Sequence, residues 1–112
     1  MISTKNRLKR GLVEYVMKKG NSFTTDLFVV RYLRQDKDEL PHITIVTSTK
    51  FSKKAVERNA AKRRIYEALR LQMPEKLPLY IAIIPKKQVL DVEYGKIEKD
   101  VTNLFKKLIK NG

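Results

Sequence analysis

Leu79-Tyr80-Ile81-Ala82-Ile83-Ile84 runs without a charge between Pro78 and Pro85. The run is too short to cross a bilayer as a helix, and it lacks the alternation of a half-exposed strand. It reads as a strand buried on both sides. Such a strand needs cover on each face, so the rest of the chain must build a sheet that carries helices.

The flanking segments supply both. Ser3 or Thr4 can cap a first helix whose Leu8, Leu12, Tyr15 and Val16 share one face. Gly20-Asn21 stops it, with Lys18 and Lys19 at the negative end of its dipole. Phe23 to Arg34 is rich in β-branched and aromatic residues, and Leu27, Val29, Arg31 and Leu33 alternate with Phe28, Val30 and Tyr32. That is a strand signal, long enough to be bent into two. The polar run Gln35 to Glu39 predicts a hairpin loop into a second, antiparallel strand, His42 to Ser48. There Ile43 and Ile45 share one face, and Thr44 and Val46 the other. A helix from an N-cap at Ser52 to about Leu71 follows, ended by Pro74. Ile97, Val101, Leu104, Phe105 and Leu108 mark a last amphipathic helix, begun near Asp91 and Glu93. No repeat or Gly/Ser linker interrupts the chain. The expectation is one α+β domain over residues 1–112, in the order α-β-β-(β)-α-β-α.

Charge decides the partner class. Twenty-five Lys and Arg oppose twelve Asp and Glu, a formal +13. Self-repulsion of that size disfavours compaction, and a polyanion explains it better than a merely lysine-rich surface. Phosphate suits the pattern better than a membrane, because the basic residues are spread over several elements. No cysteine is present and His42 is the only histidine, so a zinc site or a Ser-His relay lacks its usual groups. The first residues, Met-Ile-Ser-Thr-Lys-Asn-Arg, lack a hydrophobic signal core, which leads us to expect a cytoplasmic protein.

The most informative stretch for function is Lys53 to Glu67, where six basic side chains and Asn59 interleave with an apolar pattern. At about 100° per residue, Ala61, Ile65, Ala68 and Leu69 form a stripe fit for burial. Asn59, Lys62, Arg63, Tyr66 and Arg70 occupy the neighbouring arc, and Arg64 lies on the other flank. Lys53, Lys54 and Arg58 cluster at the N-terminal end, where free N–H groups and the dipole already favour phosphate. A charged helix face is usually only solvated. Here Glu57 and Glu67 are the only acids from Lys50 to Arg70, so the charge is almost uncompensated. Lys5 to Arg10 and Lys86-Lys87 can extend the footprint.

Other candidates weigh less. Asp36, Asp38 and Glu39 fit a loop better than a cation site. His42 reads as structural or exposed. Tyr15, Phe28 and Tyr32 could stack unpaired bases or simply fill a small core. No carboxylate pair, nucleophile–base arrangement or Gly-rich phosphate loop is evident, so hydrolysis by the polypeptide itself is not expected.

The order Ala-Val-x-Arg-Asn-x-x-Lys-Arg-x-x-x-Glu at Ala55 to Glu67 resembles the signature of the bacterial ribonuclease P protein component. The likeness extends over most of the chain. Asn6-Arg7-Leu8-Lys9-Arg10, a helix ending Lys18-Lys19-Gly20, the Leu27-Phe28-Val29-Val30 strand, Ser48-Thr49-Lys50 and the Tyr80 to Ile84 strand match in order and spacing. The resemblance implies a small α/β sandwich with an unusual left-handed β-α-β crossover. It also implies a protein that assists a catalytic RNA in removing 5′ leaders from precursor tRNA. In that role Arg58, Asn59, Lys62 and Arg63 with Lys54 contact the catalytic RNA, and a cleft between sheet and first helix holds the leader. Magnesium, held mainly by the RNA, is the implied cofactor, and no membrane or obligate protein partner is expected.

The chain departs from the family where leader contacts are concerned. Val13 and Met17 stand where family members usually carry aromatics, Arg31 replaces an aromatic of the following strand, and Tyr66 stands where arginine is common. Tyr15, Phe28 and Tyr32, with Arg31 itself, are the candidates to take over the leader. A ribosomal or other structured-RNA-binding module without a processing role is the alternative. A DNA-binding regulator and a metal nuclease are more distant ones, the former because strands flank the basic helix on both sides.

Overall fold

In a computed structural model describing residues 3–111, the apolar run forms strand β4 (Leu79–Pro85) inside a four-stranded sheet. Met1, Ile2 and Gly112 lie outside the described residues. Across the sheet the order is β1 (Asn21–Thr24), β2 (Phe28–Arg34), β4 and β3 (His42–Ile45). β2 runs antiparallel to both β1 and β4, whereas β3 is parallel to β4. Leu79, Ile81 and Ile83 point to one face and Ala82 to the other, and all four are buried. The run thus takes the interior position that its lack of alternation demands.

Two helices cover one face. α2 (Ala55–Gln72) and α3 (Tyr94–Asn111) pack Ala61, Ile65, Ala68, Leu69, Ile97, Val101, Leu104 and Leu108 against Phe28, Val30, Ile43, Ile45, Ile81 and Ile83. The opposite face carries α1 (Arg10–Lys19) alone. Leu8, Val16 and Ala82 are buried there, with Leu12, Val13, Met17, Leu33, Val46 and Tyr80 partly exposed around them. The mixed single-sheet architecture agrees with the expected class. No helix of the described residues is long and apolar enough to cross a membrane.

Several expectations are corrected. Gln35 to Glu39 is not a hairpin loop: β4 inserts between β2 and β3, because the residue run needing cover on both faces takes the interior. β3 is consequently an edge strand, parallel to β4 and shorter than expected. By contrast, the Phe23–Arg34 segment is bent into two strands as its length allowed, folding back at Thr25-Asp26-Leu27 and pairing Phe23 with Val30. Asp100 of α3 pins that turn, accepting from Thr25 Oγ1 at 2.5 Å and Leu27 N–H at 2.9 Å. These bonds explain a buried carboxylate on an otherwise apolar stripe.

Helix starts also shift. Thr4–Asn6 forms a separate 3₁₀ turn, and α1 starts at Arg10 after Lys9, which makes no side-chain cap bond. Ser52 lies two residues before the N-cap position of α2, which Lys54 occupies. α3 begins at Tyr94, after Asp91 and Glu93. Tyr15, assigned to the apolar face of α1, is 53% exposed. At the other end of α1, Gly20 has extended backbone, so close approach, not a left-handed cap, selects glycine. A Cβ there would meet Val16 O at 2.5 Å and the backbone of Tyr32 at 3.1–3.2 Å.

Candidate nucleic-acid interface

α2 buries the stripe its periodicity predicted, and this turns Asn59 and Arg63 outward, with Lys62 half-buried beside them. Arg58 is half-buried as well: its guanidinium donates to Ser52 O at 2.8 Å. Among the described residues, no acid pairs with Arg58, Asn59, Lys62 or Arg63. Ser52 organises the approach to the helix, donating from Oγ to Glu57 at 2.6 Å and accepting the Lys54 N–H at 3.1 Å. Lys53 and Lys54 are exposed beside Lys50, and Lys87 comes from the far side of β4 to join them around one shallow depression. The chain-distant Lys86-Lys87 group thus meets the helix start, though Lys86 itself donates to Thr25 O at 2.7 Å.

Three expected members of the ridge serve other ends. Arg64 fastens α2 to the 3₁₀ turn Lys87–Asp91 and the residue after it, donating to Val89 O at 3.4 Å and Val92 O at 2.6 Å. Its donors point into the protein, so it drops out of the cationic surface. Arg70 is exposed but bonded to Glu67 at 2.6 Å. That bond holds the Glu67 carboxyl below its ordinary value and raises the guanidinium of Arg70. A phosphate must therefore compete with Glu67 for it. Tyr66 is half-buried, and its hydroxyl accepts the Ile45 N–H at 3.3 Å, capping the edge of β3.

Tyr66 and Lys62 also form one end of a groove of about 730 Å³ between α1, β3 and α2. Val13 and Met17 of α1 and Val46 just after β3 give it an apolar lining, Thr44 of β3 adds a hydroxyl, and Arg7 and Arg10 supply cations at the α1 start. The Leu8 N–H donates to Ile43 O at 3.0 Å, fixing the entry of α1 against β3. Both concave wall and cationic ridge are present, and they are continuous.

The residues expected to hold an unpaired strand are elsewhere. Phe28 is fully buried beneath α2 and α3, on the wrong side of the sheet. Tyr32 shares that side and packs on Phe23, ring centroids 5.9 Å apart. The exposed Tyr15 does not line the groove. Arg31 faces α1, but its guanidinium donates to Gly20 O at 3.1 Å. β-strand parity explains the first two: Phe28, Val30 and Tyr32 alternate with Val29, Arg31 and Leu33, and only the latter set faces α1. The groove instead uses Val13 and Met17, the positions where the resemblance itself marks a departure.

A family profile described as Ribonuclease P matches residues 2–109. The ribonuclease P protein component of Clostridioides difficile is 34% identical over 106 residues, covering 93% of this chain and 91% of that protein. That of Symbiobacterium thermophilum is 33% identical over 103 residues, covering 90% and 89%. Among solved structures, the ribonuclease P protein of Thermotoga maritima superposes with a TM-score of 0.76 at 27% identity, covering 90% of this chain and 96% of that one. Near-complete coverage, the Arg58–Arg63 motif and the shared fold lead to one conclusion: this chain belongs to the ribonuclease P protein component family.

Proposed function

We propose that this protein, as part of the ribonuclease P endoribonuclease, binds the catalytic RNA along α2 and holds the 5′ leader of precursor tRNA in the groove beneath α1. Lys53, Lys54, Arg58, Asn59, Lys62 and Arg63 meet the catalytic RNA. Arginine forks match phosphate oxygens, and Asn59 can both donate and accept. The leader runs between Val13, Met17, Thr44 and Val46, with Arg7, Arg10 and Lys62 near its phosphates. Lowering repulsion between two polyanions is the protein's main electrostatic contribution. One observation carries this reading: Lys62 stands beside the outward Asn59 and Arg63 and also lines the groove wall, so a single surface can join two RNA molecules.

Hydrolysis is assigned to the RNA. Under this reading the magnesium ligands would come from the oxygen atoms of the RNA. Magnesium held there supplies activation of the attacking water. Under this reading the protein works in the cytoplasm, beside the transcripts it helps to mature.

Arg63→Ala provides the test, because Arg63 is exposed and without a structural bond among the described residues. The substitution should weaken binding to ribonuclease P RNA by about 1–3 kcal/mol, the usual cost of one good polar contact. It should also reduce the protein's rescue of pre-tRNA cleavage at low magnesium. Full rescue by Arg63→Ala together with Lys62→Ala would remove α2 from the interface.

A further inference from the structure

A second pocket, about 570 Å³, lies on the other side of the N-terminal segment from the groove. That volume is within the usual range for small-ligand sites. Its apolar floor is Leu12, Leu40 and Tyr80, and Lys5, Lys9 and Lys37 are exposed at its rim. The Tyr80 ring meets His42 nearly edge-on, with centroids 5.7 Å apart. His42 is fixed in turn by Asp38, through Nε2 contacts of 3.0 and 3.1 Å to the two carboxylate oxygens.

Two buried amides hold the walls. Gln35, 5% exposed, donates from Nε2 to Asp38 Oδ1 and Leu40 O, both at 3.0 Å. Its Oε1 accepts the N–H groups of Lys37 at 2.8 Å and Asp38 at 3.1 Å. Asn6, 8% exposed, donates from Nδ2 to Pro41 O at 3.0 Å, tying the N-terminal segment to the same loop. Residues 35–41 join strands that are not neighbours, and their main chain is tied to the approach to β4 by Gln35 N–H to Pro78 O at 3.0 Å and Leu77 N–H to Glu39 O at 2.8 Å. Spending two buried side chains to fix such a loop is expected of a preformed site. Arg7 and Leu8 line this pocket and the groove alike, so the two concavities meet around the start of α1.

We infer that this pocket seats one unpaired nucleotide of the RNA strand that occupies the groove. The base lies against Tyr80, and its flanking phosphates lie against Lys5, Lys9 and Lys37. An aromatic floor ringed by cations fits a base joined to phosphates better than an inorganic anion, which has no use for the ring. Asp38 Oδ2, which among the described residues accepts only from His42, has a lone pair left for a base N–H. The inference rests on the RNA-binding reading above, and its test separates the two.

The test measures binding of the full chain to labelled oligouridylates of about four and about ten nucleotides, lengths at which single-strand sites fill in part or whole. The double variant Lys9→Gln, Lys37→Gln should leave the short strand's affinity unchanged. For the long strand it should flatten the log–log salt slope by about 1.4, the value for two lost single-strand phosphate contacts. Tyr80→Leu should weaken the long strand about fivefold or more and spare the short one. Variants that bind the long strand like wild type, or that lose both lengths equally, overturn the pocket and leave the RNA reading standing. Wild-type protein that binds neither strand overturns both. Thermal melts keep the result decisive: if Tyr80→Leu unfolds, the surface lysine pair decides alone.

Discussion

The two faces of the sheet are built to different standards. Beneath α2 and α3, Phe28, Val30, Ile43, Ile81 and Ile83 are fully enclosed. Beneath α1 the buried hydrophobic cluster of the described residues is Leu8, Val16 and Ala82, and the apolar side chains packed around it stay half-exposed. Each fully buried large aliphatic or aromatic side chain contributes about 1.5–3 kcal/mol, so stability is concentrated on the first face. The second face is underfilled, which leaves room for a concavity on either side of α1. One side of a small sheet holds the molecule together, and the other is free to bind.

Substitutions can break that division. Phe28→Ala should cost about 3–5 kcal/mol in denaturant unfolding, since it empties the closed face. A loss below about 1 kcal/mol would mean the two faces share the load. Asp100→Ala should cost about 1–3 kcal/mol, because the Leu27 N–H and Thr25 hydroxyl lose their buried acceptor. Hydrogen exchange should then quicken first at the β1–β2 turn.

On the open face the expectation reverses. Met17→Ala should cost less than about 1 kcal/mol of stability. It should lower affinity for leader-bearing precursor tRNA more than for mature tRNA, and equal losses would place Met17 outside the leader path. The smallest effect is the pH response of Asp38. Its carboxyl is held below the ordinary 3.8, first by the His42 bond, then by the Leu40 N–H and Gln35. A depressed folded-state value contributes stability above the unfolded carboxylate's pKa and loses it as pH falls through the folded one. Wild type should therefore exceed Asp38→Asn in urea midpoint at neutral pH, and the gap should close in acid, below about pH 4. A gap that stays constant across the whole acid range would mean that shape, not charge, sets the loop.

Periodicity made much of this legible. The stripe Ala61, Ile65, Ala68, Leu69 and the α3 positions from Ile97 to Leu108 are buried as their spacing requires. The outward direction of Asn59 and Arg63 follows from the same geometry. Strand neighbours were not legible, because Gln35 to Glu39 has the composition of a tight turn whether or not the strands it joins are paired. Arg64 and Tyr66 also escaped a helical wheel. Their partners, Val89, Val92 and Ile45, lie in distant segments and are backbone groups, which leave no mark in composition. The groove lining was legible only in part: the resemblance marked Val13 and Met17, whereas composition alone gives Val46 as a core residue and Thr44 as an ordinary strand position.

Gly20 gives the open face its dimensions. Because the end of α1 rests on the Tyr32 main chain with no side chain between them, helix and sheet stand at a separation set by bare polypeptide. The clearance available to a nucleic-acid strand is thus a fixed gauge, while the residues lining it remain free to vary. A lineage can exchange rings for aliphatic chains at positions 13 and 17 and retune which strands it grips without re-spacing the fold.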